Sequence, residues 1–251
     1  MTLALGLLGF VAVGLALGML GGGGSILAVP VLVNVLAIPA GTAVPMALPV
    51  VGIAAAAGAI TRWRRGQLRL STVALFAACA MGASYVAARL GAGIADRPRL
   101  LLFGATMLIA AAAMWRRASQ PSLATPTIAR PAYQVVPVAL VVGALTGVLG
   151  VGGGFLIVPA LAGVLALPMP EATATSLAVI ALNTAAAGAG FLSKQVTIDL
   201  RVTVLVTAAA LVGMAIGLRL APRFSAATLA RTFAVLVAIL AVLTIGKELV
   251  T

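Results

Sequence analysis

Side chains that could do covalent chemistry are few in this chain, and none is arranged for it. There is no histidine, a single cysteine, Cys79, and four carboxylates, Asp96, Glu171, Asp199 and Glu248, scattered along 251 residues. An enzyme site needs a nucleophile beside a base, paired acids or a metal set, and these residues supply none of them. No enzyme activity, metal site or cofactor is therefore expected, and nothing resembles a Walker A nucleotide loop. What the chain does carry, twice, is a glycine cluster inside apolar sequence. Residues 18–32 read GMLGGGGSILAVPVL and residues 147–161 read GVLGVGGGFLIVPAL. The chemistry open to such a cluster is that of the backbone. Amide N–H groups at the opening of a helix, with the positive end of the macrodipole behind them, suit an anion. Glycine lets that backbone approach a ligand with no Cβ in the way.

The two copies are 129 residues apart (147 − 18), and the offset holds without a gap over 18–39 and 147–168. Thirteen of the 22 aligned pairs are identical, including Gly21/Gly150, Gly24/Gly153, Pro30/Pro159 and Pro39/Pro168, far more than chance gives in an Ala/Leu/Gly/Val-rich chain. The chain is read as a duplicated unit. Within hydrocarbon, non-helical backbone is tolerated only where it is buried in protein or lines a cavity. Two matched Gly/Pro-interrupted segments, one per half, point to a transport site built from broken helices.

The elements that must position these clusters follow from composition. Hydrophobic residues make up 63% of the chain and charged residues 8%, where a soluble domain carries about a quarter charged residues. Apolar runs recur throughout, several near the roughly 20 residues that cross a bilayer, and none alternates as a barrel strand would. The fold class is all-α: a polytopic membrane protein of two internal repeats, with about eight spanning helices and Gly/Pro-broken half-helices. Residues 1–118 form the first repeat, 119–132 a polar linker expected on the cytoplasmic side, and 133–251 the second repeat. The net charge of +12 comes mostly from Lys and Arg between apolar runs, as the positive-inside rule requires. No basic face with interleaved aromatics exists, so nucleic acid is not an expected partner. The first residues lack a basic leader and run into the repeated motif, so they are read as a retained helix.

In chain order, 3–20 is an apolar helix and 25–36 a half-helix that Ser25 can cap, Pro30 can kink and Pro39 limits. Spans follow at 42–63, 70–90 and 100–115. The second half repeats this with a helix at 135–149, a half-helix at 155–167 and spans at 172–192, 202–220 and 227–245. Gly14 and Gly18 match Gly143 and Gly147 in the other copy, a four-residue spacing that lets helix backbones meet closely in lipid. Further along, Gly82 and Gly213, and Arg89 and Arg219, correspond within a residue or two. Trp63 and Trp115 read as interface anchors, Arg89 and Arg219 as span ends that snorkel, and Lys194 as a residue that either snorkels too or attracts anions to the pore mouth. If a half-helix adds or removes one crossing per half, the repeats are inverted and Arg219, Arg223 and Arg231 fall inside. That arrangement obeys the charge rule better than parallel repeats do.

The doubled Gly-x-Gly-Gly-Gly-x-x-x-x-Pro pattern, best preserved from Gly150 to Pro159, resembles the sulfite exporter TauE/SafE family of membrane transport proteins. The segment from Ala174 to Leu177 also looks like the family's, and the resemblance covers essentially the whole chain. It implies export or uptake of small sulfur-containing or carboxylate anions, often sulfite or sulfonates, across a bacterial inner (cytoplasmic) membrane by a multi-pass protein. This chain departs from the pattern where Ser25 stands opposite Gly154 and where Val44-Pro45 stands opposite Thr175-Ser176, so its first half offers fewer side-chain donors.

The candidate substrate-binding residues are Gly22, Gly23, Gly24 and Ser25 in one cradle and Gly152, Gly153, Gly154 and Phe155 in the other. Their alternative role is close helix crossing. Thr175, Ser176, Asn183 and Asn34 could complete the site, or could bond neighbouring helices. Glu171, just after Pro168-Met-Pro170, is the candidate for proton coupling, with a membrane-edge loop or cap as its other reading. The expected partners are a small anionic substrate and the lipid bilayer, with a homodimer as the assembly to test. A membrane scaffold without transport is the alternative function.

Overall fold

The computed structural model describes residues 2–90, 96–119, 131–149, 154–192 and 198–250. Among them are ten α-helices: α1 Thr2–Leu20, α2 Ser25–Pro30, α3 Ala40–Arg64, α4 Leu70–Leu90, α5 Asp96–Ala118, α6 Ala132–Leu149, α7 Gly154–Pro159, α8 Met169–Leu192, α9 Leu200–Leu220 and α10 Ala226–Val250. Five of them, α1, α3, α4, α9 and α10, are long and apolar enough to cross a bilayer. Their outward faces carry side chains such as Leu8, Val204 and Val242, an apolar surface that fits lipid better than water. The polytopic helical class expected from composition is the one observed.

Both short helices change character at a proline. Each α-helical stretch ends on one, Pro30 or Pro159, and continues as a π-turn, Val31–Val35 or Ala160–Val164. Proline lacks the N–H that the α-pattern needs and its ring crowds the preceding turn, and a wider turn is one way to absorb that. The exits match as well. The Leu36 N–H donates to the Val31 carbonyl at 3.2 Å and the Ile38 N–H to the Leu32 carbonyl at 3.0 Å. Leu165 and Leu167 do the same to Ala160 and Leu161, both at 3.0 Å. Between each pair of donors sits an alanine in the left-handed region, Ala37 at φ 53° and Ala166 at φ 52°, again 129 residues apart. This is the αL termination that usually recruits glycine.

Helix packing shows how the elements run. Gly14 lies against Ala210, and Gly18 against Met214, Gly217 and Leu218, so α1 and α9 are parallel. Gly143 lies against Ala80 and Gly147 against Ser84, so α6 and α4 are parallel too. Gly52 meets Thr184 while Gly58 meets Leu177, so α3 and α8 are antiparallel. So are α5 and α10, where Gly104 meets Ile245 and the Trp115 ring lies 6.0 Å from the Arg231 guanidinium. The α2 segment folds back along α1, with Gly24 on Val13 and Leu17, Gly9 on Val31 and Gly6 on Leu36. The chain thus turns back before α3, which runs the same way as α1. With short turns joining α3 to α4 and α9 to α10, each long helix of 1–118 opposes its counterpart in 133–251. The order is that of an inverted pair, and it gathers Arg64, Arg65, Arg69, Arg116, Arg219, Arg223 and Arg231 at one end.

The close approach expected at Gly14, Gly18, Gly143 and Gly147 is present: a β-carbon at any of the four would meet facing backbone. Gly82 and Gly213 correspond within a residue, as expected, but their surroundings differ. Gly82 faces open space while Gly213 packs on Val11. By packing, Ala80 corresponds to Ala210 and Ser84 to Met214, so the offset has become 130 by α4 and α9.

Candidate functional site

The first glycine cluster begins where α1 stops. Gly21 takes φ +79°, open to glycine at little cost, and its N–H donates to the Leu17 carbonyl at 2.8 Å. Gly21, Gly22, Gly23 and Gly24 are all buried. A β-carbon on Gly21 would lie 2.6 Å from Ser176 Oγ, one on Gly22 would overlap the Gly154 carbonyl oxygen, and one on Gly24 would overlap the Val13 carbonyl oxygen. A β-carbon on Gly23 would lie 3.1 Å from the Phe233 ring. The openings of the two half-helices therefore meet inside the bundle, Gly22 and Ser25 on one side, Gly154 and Val158 on the other. The packing role of the first cluster is plain in this geometry. Gly152 and Gly153 lie outside the described residues, as does Lys194.

The side chains depart from expectation in places. Ser25 does not cap α2. Gly24 holds the capping position with helical angles, φ −70° and ψ −29°. Ser25 is already inside the helix, and its hydroxyl donates back to the Gly22 carbonyl at 2.7 Å. Ser176 is fully buried and donates to the Thr173 carbonyl at 2.9 Å, and Thr173 donates to the Pro170 carbonyl at 3.0 Å. Thr175 is buried beside them. The Ser176 and Thr173 hydroxyls satisfy their own helix, as such groups often do. Asn34 stands on the exposed side of the π-turn, whereas Asn183 is partly buried in α8 with no hydrogen-bond partner for Oδ1 among the described residues. The buried Phe155 ring packs edge-on against Phe103 of α5, with centroids 5.3 Å apart. Glu171 sits in the first turn of α8, where the helix dipole favours a carboxylate, and its Oε2 lies 3.1 Å from Arg69 Nε. It is at the basic end of the bundle.

One residue that could serve the site reads differently in sequence. Arg62 falls at the end of the span read at 42–63, in a run of arginines that drew no role, yet it is the last buried position of α3, only 6% exposed. It continues the stripe of Val51, Ala55 and Gly58, and that spacing was the available signal. Its Nη2 donates to the Gly18 carbonyl at 2.9 Å and its Nη1 to Gln67 Oε1 at 3.1 Å.

Comparison with known proteins bears on this arrangement. The family model described as "Sulfite exporter TauE/SafE" matches residues 5–244. A "Probable membrane transporter protein" of Xylella fastidiosa (strain 9a5c) is 32% identical over 249 residues, covering 94% of this chain and 92% of the relative. A protein of the same name from strain Temecula1 is 35% identical over 171 residues, 67% of this chain and 66% of its own. No solved structure matches.

Proposed function

The chain belongs to the sulfite exporter TauE/SafE family, and on that premise we propose that it is a membrane transporter carrying small anions, sulfite, sulfonates or related organosulfur anions, across the inner membrane. The observation that supports this most is the meeting of the two half-helix openings, Gly22 against Gly154, inside an inverted pair of repeats. Two helix N-termini turned into one region add their positive ends, and an anion is the solute that such a region favours. The inverted order lets one repeat rock against the other around a shared site, the usual route to alternating access. The arginine-rich end faces the cytoplasm, by the positive-inside rule. Glu171 at that end is the group through which a proton gradient would couple to movement.

Purified protein in proteoliposomes, assayed with radiolabelled sulfite, tests the reading. Saturable flux above that of empty vesicles is expected, competed by sulfonates. Flux equal to empty vesicles for sulfite, sulfonates and small carboxylates alike would leave the scaffold reading standing.

A further inference from the structure

We infer that Arg62 is the fixed positive charge of an anion-binding position at the basic end of the bundle, next to the first glycine cluster. This rests on the anion reading above and names a residue for it. Arg62 is more than nine-tenths buried near the end of a membrane helix. Buried charges are normally paired, yet no carboxylate lies within ion-pair distance of Arg62 among the described residues. Its two acceptors among the described residues, the Gly18 carbonyl and Gln67 Oε1, are neutral, and Nε has no hydrogen-bond partner among them. An intramembrane charge of this kind is a functional candidate whose missing partner must be named. The missing partner here is negative and small, and it accepts a hydrogen bond from Nε: an oxyanion.

Position agrees with this. The Gly18 carbonyl held by Arg62 lies three residues before Gly21, and Gly21 packs on Ser176 and Thr173 of α8. The charge therefore sits where α1, α3 and α8 converge beside the break. It is also one-sided. By the 129-residue offset the matching position in the second half is Phe191 (62 + 129), so among the described residues the inverted order carries one buried cation, at the basic end. An anion entering from that end meets Arg62 before the half-helix openings.

A purely structural role is the rival, since Arg62 also satisfies one of the last carbonyls of α1. Two variants separate the roles. R62K keeps a charge and a donor for Gly18 but loses the planar fork, and R62Q removes the charge. Each is titrated with sodium sulfite by thermal shift and assayed for sulfite flux in proteoliposomes. The inference predicts that R62K raises the half-saturating sulfite concentration about tenfold and that R62Q abolishes the sulfite-induced shift. Unchanged half-saturation in R62K, with only its ligand-free melting temperature lowered, would overturn it and leave Arg62 as a cap. A wild-type protein that neither binds nor carries sulfite would overturn the anion reading itself, a result readable without either variant.

Discussion

Replacing Gly22 by alanine is the sharpest perturbation available. An ideal β-carbon there would overlap the Gly154 carbonyl oxygen and lie 2.7 Å from its carbonyl carbon. Ordinary contact begins near 3.4 Å, so at that atom alone the two half-helices must part by about 0.7 Å (3.4 − 2.7). The obstacle is backbone, which no rotamer change relieves. A gap of that size forfeits about a quarter to a half of the dispersion well for each atom pair it opens. The neighbouring Phe155, Leu156, Ile157 and Val158 are all buried, so many pairs are affected. Overpacking of this kind costs about 1–3 kcal/mol, and each kcal/mol lowers the melting temperature of a chain this long by about 2–4 °C. Gly82→Ala is the matched control, because its β-carbon meets nothing within 4 Å. The assay is thermal unfolding of both variants in detergent, with sulfite flux at equal reconstitution. Gly22→Ala should melt several degrees lower and lose most of its flux, with Gly82→Ala close to wild type. A Gly22→Ala protein with wild-type melting and flux would refute the reasoning that the two openings touch.

Other outcomes follow from the same geometry. Ala37→Gly and Ala166→Gly each relieve a left-handed alanine and should each stabilise by about 1 kcal/mol. The two sites lie in separate half-helices, so thermal melts of the double variant should show the increments adding. Glu171→Gln removes a partly exposed ion pair with Arg69, and should cost under about 1 kcal/mol in thermal melts while weakening any dependence of flux on a proton gradient. Flux with unchanged gradient dependence would assign the pair to the first turn of α8 alone. Gly147→Leu forces a side chain into the Ser84 backbone, and should separate α4 from α6 and lower the yield of folded protein in size-exclusion chromatography.

Much of the fold was legible because hydrophobic span length and glycine punctuation are local signals. The half-helix read at 25–36 runs over 25–35, and that read at 155–167 begins one residue earlier and ends its π-turn at Val164. The π-turns themselves were not legible, since proline announces only that the α-pattern fails and not how the next turn widens. Ser25 misled because a serine before an apolar run has the signature of a cap. Here Gly24 already takes helical angles, which moves the boundary by one residue and turns the hydroxyl inward. Gly82 and Gly213 stand one residue out of register, and that step of about 100° around a helix is enough to give them different neighbours. Arg62 was hidden by its neighbours: Trp63, Arg64 and Arg65 are exposed, and a cluster of arginines at the end of a span reads as one group until helix periodicity separates its members.

The central claim is that a small anion rests beside the two half-helix openings, where they meet. Selenite, a heavier analogue of sulfite, makes this directly visible by anomalous diffraction from crystals of the protein. The account predicts an anomalous peak inside the bundle beside Gly22 and Gly154, within hydrogen-bond reach of backbone N–H groups at the start of α2 or α7. Selenium found only against the exposed arginines at the basic end would contradict it.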